Sequence, residues 1–235
     1  MSRLPWPLRP RFLDKDREGA EAGAMSQSVL ELPDWGPVVM AYAKGPERQA
    51  LAAMLALDLR LERIVHGASE PMLGQIRLAW WREEIGRARP SGADLPPDPL
   101  LSAILSHWGE SRAGLLDLID GWEQLFGDPP WTAESRAAFC RGRSLVFGAF
   151  AERVGEAAFR EAAEVHGAAW GTAHIAQAEG GLGVVPERLP RLPRSLRPLA
   201  LIGGLSRRAT TRGGQPLMGD RMSPLVALKL GIFGV

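Results

Sequence analysis

The chain has 235 residues, 46% of them hydrophobic, which suffices for one substantial core and calls for no second domain. One cysteine, Cys140, excludes an internal disulfide and a thiolate metal site, and no run approaches the roughly 18 apolar residues of a membrane span. The net charge of +1 hides an asymmetry, because residues 188–235 hold nine basic residues against Asp220 alone; such an end suits either an anionic partner or an ordinary solvated face.

Residues 1–34, with LPWPLRP and then KDREGAEAGA, show no apolar period and are expected to form a mobile extension before a domain over 35–235. Met25 is an alternative start to Met1. A first helix is predicted from Gly45-Pro46, with apolar positions at Leu51, Met54, Leu55, Leu57, Leu61, Ile64 and Val65. A second opens at Ser69-Glu70-Pro71 and runs to about Arg87, where RPSGADLPPDP breaks the chain. Further helices are predicted at about 100–107, 111–126, 132–154, 156–179, 197–207 and 224–233, with Gly155 and Gly180-Gly181 as stops. Every strongly periodic segment has the helical period, so the expected fold class is all-α.

At 100° per residue Leu51, Leu55, Asp58 and Glu62 share one narrow sector of the first helix, inside its apolar arc. Two carboxylates therefore point inward, and a buried carboxylate is costly unless paired or bound to a cation. A metal site, an ion pair with an arginine such as Arg77 or Arg82, and a shifted helix phase are the alternatives; one helix alone favours the ion pair. Glu62 and Arg63, as neighbours, do not face each other, whereas Glu62 and His66 are four apart and can pair.

The stretch SEPMLGQIRLAWWREEI resembles the squalene/phytoene synthase family, all-helical isoprenoid synthases that join two prenyl diphosphates head to head. LLDLIDGWEQL, GAAWGT and VVPERL are looser matches, and the likeness runs from about Asp34 to Val185. It implies an isoprenoid-synthase-type bundle, shortened at the C-terminus. Family members hold magnesium on two aspartate-rich motifs, because a diphosphate leaves readily only when cations neutralise its charge. At the first motif this chain reads Glu62, Arg63, Ile64, Val65 and His66, one acid of three, with Asp58 a turn before. At the second it reads Ala173, Ala176, Gln177 and Gly181, with Glu179 out of phase.

The resemblance is closest in character to the aspartate-poor branch that includes the mitochondrial complex I assembly factors, whose alphaproteobacterial relatives share the E-P-x-L-G-x-I-R-L-x-W-W-R pattern. It implies a binding or assembly-type factor, cytoplasmic and peripheral to a membrane, with no cofactor and no catalytic residue. Its partners would be an isoprenoid or lipid ligand, and an anionic membrane surface or protein engaged by the arginine-rich end. The alternative is a prenyltransferase using Mg2+ through Asp58 and Glu62, with Arg77, Trp80, Trp81 and Arg82 lining the diphosphate site or cavity. A third reading is a regulatory partner of a synthase.

The remaining polar residues add little. His66, His107, His166 and His174 never pair at metal spacing on one helix, so no zinc site is expected; His166 and His174 read as core or boundary histidines. Trp80-Trp81 reads as core, and Asp117, Asp120 and Gln124 as a solvated side. Gly142-x-Ser144 and Gly213-Gly214 make no phosphate loop, and the arginine-rich end lacks the interleaved aromatics of a nucleic-acid binder.

Overall fold

The computed structural model describes residues 30–68, 70–87, 94–181, 183–218 and 221–233. Among these the regular elements are all helical. They are α1 Gly36–Met40, α2 Gly45–Gly67, α3 Pro71–Gly86, α4 Pro99–Trp108, α5 Leu116–Glu123, α6 Ala133–Arg153, α7 Arg160–Glu179, α8 Arg197–Thr211 and α9 Ser223–Phe233. Single 3₁₀ stretches precede α5, α7 and α8. The predicted elements thus reappear, with the first turns of the 111–126 and 156–179 segments wound more tightly. Helix α1 has no sequence forecast because five residues cannot display a period.

Local chemistry sets the boundaries. Pro46 enters the first turn of α2, where a missing N–H costs nothing, and Glu47 favours that positive end. The Thr132 hydroxyl accepts from Ser135 N at 3.1 Å and caps α6. Helix α7 stops at Gly180, whose φ of +62° only glycine adopts without strain. Asp98 caps α4 by accepting from Leu101 N. The expected cap of α3, Ser69, lies outside the described residues; Glu70 stands at the N-cap without a side-chain bond.

Helix α2, roughly 35 Å long, is buried from Ala50 to Asp58 and packs on α3, α4 and α5. The antiparallel pair α6 and α7 forms the other wall, with α8 laid against α7 and α5 against α6. Glycines allow this second wall to close tightly. A Cβ on Gly171 would lie 2.7 Å from Cys140 Cα, and one on Gly142 would strike the Asp117 carbonyl of α5. Side chains rather than backbones span the space between α2 and the α6–α7 wall, and that layer holds the site.

The last residues of the predicted extension are tied to the body. Leu30 and Leu32 pack on the core, and Arg63 donates to both carboxylate oxygens of Glu31. Residues 1–29 lie outside the described residues. No helix among the described residues is long and apolar enough to cross a membrane.

Candidate functional site

Asp58 points inward, as its helical phase predicts, and is 5% exposed. Its partner is Arg143 of α6, not Arg77 or Arg82. Arg143 Nε donates to Asp58 Oδ1 at 3.1 Å and Nη2 to Oδ2 at 2.7 Å, a two-pronged pair closed off from water. Trp122 Nε1 of α5 adds a bond to Oδ1 at 2.8 Å. The guanidinium sits 4.0 Å from the Trp170 ring centroid and 4.6 Å from that of Phe139, so its faces as well as its edges are satisfied. Burial pushes the Asp58 carboxyl above its ordinary value, while Arg143 and Trp122 draw it back. A protonated Asp58 would leave the arginine charge uncompensated in the core, so the pair stands as carboxylate and guanidinium.

The expected candidates missed this pairing for a geometric reason. Arg82 lies on the outer side of α3, where Nη2 donates to Asp120 at 2.6 Å and to the half-buried Glu123 at 2.8 Å; Asp120, of the expected solvated side of α5, is thereby used. Arg77 is exposed and lines a shallow surface depression with Arg60, Arg63, Trp80 and Trp81, away from Asp58. Trp81 is buried in the core as expected, whereas Trp80 remains 45% exposed. A signal for Arg143 was present in the sequence: it falls in register with Phe139, Phe147 and Phe150, the apolar stripe of α6.

One turn beyond Asp58, Glu62 is half-buried and faces a cavity of about 450 Å³. The lining includes Trp35, Arg63, Trp170, His174, Gln177 and Met218 besides the Asp58–Arg143 pair. Burial, and then Asp58, hold the Glu62 carboxyl above its usual range. His174 of α7 reaches across, with Nδ1 4.0 Å from Glu62 Oε1, and its ring stacks on that of His66 at 6.3 Å between centroids. The pairing of Glu62 is thus with His174 of the opposite wall rather than with His66 four residues on, although the donor atoms of all three lie within 4.8 Å of one another.

Burial, the nearby Arg143 charge and His66 hold the His174 imidazole well below its ordinary pKa of 6.5, and burial alone lowers that of His66. His166, by contrast, is a core histidine bonded to Pro190 O at 2.9 Å.

The positions aligned with the second acidic motif carry no acid toward this cavity. Ala173 and Ala176 are buried packing residues, and Gln177 lies at the cavity edge. Glu179 is turned away, accepting from Trp131 N at 3.0 Å and pairing with Arg136 at 2.9 Å, which fastens the turn before α6 to the end of α7. The magnesium implied by the resemblance does not fit this donor set. Of the acids lining the cavity, Asp58 is claimed by Arg143 and Glu31 by Arg63, so a hard cation that prefers an octahedron of oxygens would meet Glu62 and the exposed Asp34 beside imidazoles and two guanidiniums.

The described residues form an all-helical bundle with a polar cavity between two long helical walls, which is consistent with the isoprenoid-synthase-type fold that the resemblance implies. The family model described as squalene/phytoene synthase matches residues 37–191, and the chain belongs to that family. Neither a curated protein nor a solved structure matches it.

Proposed function

We propose that this chain is a family member without magnesium-dependent diphosphate chemistry that works as a binding or assembly-type factor at a membrane surface. The observation that carries the reading is the Asp58–Arg143 pair. The carboxylate best placed to join Glu62 in holding a cation is neutralised inside the core by an arginine packed against two aromatic rings. Diphosphate ionisation needs several divalent charges on facing acids, and α7 offers Ala173, Ala176 and Gln177 instead.

The cavity remains large enough for part of an apolar ligand, with Trp35, Trp170, Leu217 and Met218 among its walls. Outward apolar faces support a docking role. Helix α3 exposes Met72, Leu73, Ile76 and Trp80 within one arc, beside Arg77, and α9 exposes Leu225, Leu228 and Ile232 beside Lys229. The basic excess of residues 188–235 suits an anionic surface.

Co-sedimentation of the full chain with vesicles tests the docking part. Vesicles rich in phosphatidylserine should retain the protein at low salt, neutral phosphatidylcholine vesicles should not, and Leu225→Glu with Leu228→Glu should weaken retention. Equal retention by both vesicle types, or by neither, would contradict an anionic membrane surface and turn attention to a protein partner. Calorimetric titration with farnesyl diphosphate tests the chemical part: binding that requires Mg2+ would favour the transferase.

A further inference from the structure

We infer that Glu62, His66 and His174 form a site for a single transition-metal ion of the Zn2+ class, held across the cavity between α2 and α7. Their candidate ligand atoms all lie within 4.8 Å of one another. The two α2 donors are four residues apart and so share one helix face, while the third comes from the opposing wall; bundle cores build metal sites in this way. Two imidazoles and one carboxylate leave further positions open toward the cavity, which is the ligand count of an accessible zinc site rather than a closed structural one.

A second observation points to a missing partner. His174 Nε2 is buried and makes no hydrogen bond, and Nδ1, at 4.0 Å from Glu62 Oε1, is too far for one. An imidazole with one nitrogen buried and unbonded is expensive unless something meets that nitrogen. The rings of Trp122 and Phe139, with centroids at 5.0 and 5.1 Å, pin the His174 imidazole from its other sides. His174 is thus the fixed ligand.

Zinc bonds of about 2.0–2.1 Å place neighbouring ligand atoms roughly 3.3 Å apart, so the set must contract by an ångström or so. The two donors that must move are the ones free to do so: His66 is exposed and Glu62 half-exposed on the outer turns of α2. The Arg143 charge, which would oppose a cation, is offset in part by Asp58, and the Glu62 carboxylate supplies the negative charge at the site itself. Imidazole donors favour zinc, cobalt or nickel over magnesium, so this site differs in ligand set and metal class from an aspartate-rich magnesium centre. The inference needs no partner protein or membrane and does not depend on the docking role.

The test uses the full chain stripped with a chelator and then titrated with Zn2+ by calorimetry and with Co2+ by visible absorption, each with excess Mg2+ present. A single ion should bind per chain, and the cobalt adduct should develop the intense visible bands of a low-coordinate nitrogen–oxygen site. His66→Ala and Glu62→Gln, at positions outside the core, should each weaken binding by about tenfold or more, with circular dichroism confirming an intact fold. His107→Ala should bind as the parent does. Absence of Zn2+ binding, or equal affinity in the parent, His66→Ala and Glu62→Gln, would overturn the site. Displacement by Mg2+ would also overturn it, and would count separately against the loss of magnesium chemistry.

Discussion

Replacing Arg143 by methionine should be among the most damaging single changes available to this protein. The substitution keeps much of the stem but removes the guanidinium, leaving the Asp58 carboxylate, 5% exposed, with the Trp122 indole N–H as its remaining strong donor. Both prongs of the pair, at 3.1 and 2.7 Å, and the stacking on Trp170 vanish together. Breaking a buried pair by removing one partner costs about 3–5 kcal/mol, because the other charge stays behind unpaired. For a chain of this size each kcal/mol lowers the melting temperature by about 2–4 °C, so a fall of about 6–20 °C is expected.

Urea denaturation followed by far-ultraviolet circular dichroism measures the loss directly. The double variant Asp58→Leu with Arg143→Met should recover most of it, since an apolar pair of similar volume restores neutrality. The deficit of the single variant should also shrink on acidification. Without Arg143 the folded-state pKa of Asp58 rises further, so the folded state takes up a proton before the unfolded chain does and gains stability as pH falls through that window. A single variant within about 1 kcal/mol of the parent would refute the reasoning, since a surface ion pair is worth no more than that.

Other outcomes follow from neighbouring features. Gly171→Ala should destabilise by about 1–3 kcal/mol, because its Cβ would meet Cys140 Cα at 2.7 Å and force α6 and α7 apart; unchanged denaturation would mean the walls are looser than described. Thr132→Ala should cost about 1 kcal/mol through loss of the α6 cap, read by the same denaturation experiment. The His174 ring should titrate well below 6.5 in a nuclear magnetic resonance pH series. Since its folded pKa is depressed, the unfolded chain binds the proton first, and this histidine's contribution to stability declines as pH falls below the unfolded value; a midpoint at or above 6.5 would contradict its buried, cation-flanked setting.

The fold was largely legible in the sequence because helical period, Pro46, Thr132 and Gly180 act locally, and each acts as its chemistry requires. The inward direction of Asp58 was legible for the same reason, since a wheel needs only one helix. What the wheel could not supply was the identity of the partner across the core. Arg143 lies 85 positions away, and only the packing of α5, α6 and α7 brings it, Trp122 and Trp170 around one carboxylate. Its place in the aromatic register of α6 was the available clue. The histidine cluster was hidden by a similar limitation: testing metal spacing within single helices cannot find a site whose third donor, His174, comes from the facing wall. Glu179 shows the opposite case, where an acid near an expected motif position proves to fasten a turn.

On the proposed reading, the acidic site of this family has become, in this chain, an arginine-neutralised polar network without diphosphate chemistry. Pyrophosphate release from farnesyl and geranylgeranyl diphosphate by the purified full chain, with and without Mg2+, tests it most directly. Release no faster than in buffer is expected, with Glu62→Gln and Asp58→Asn indistinguishable from the parent. Magnesium-dependent release that either substitution abolishes would contradict it and make those two carboxylates the core of a working prenyltransferase.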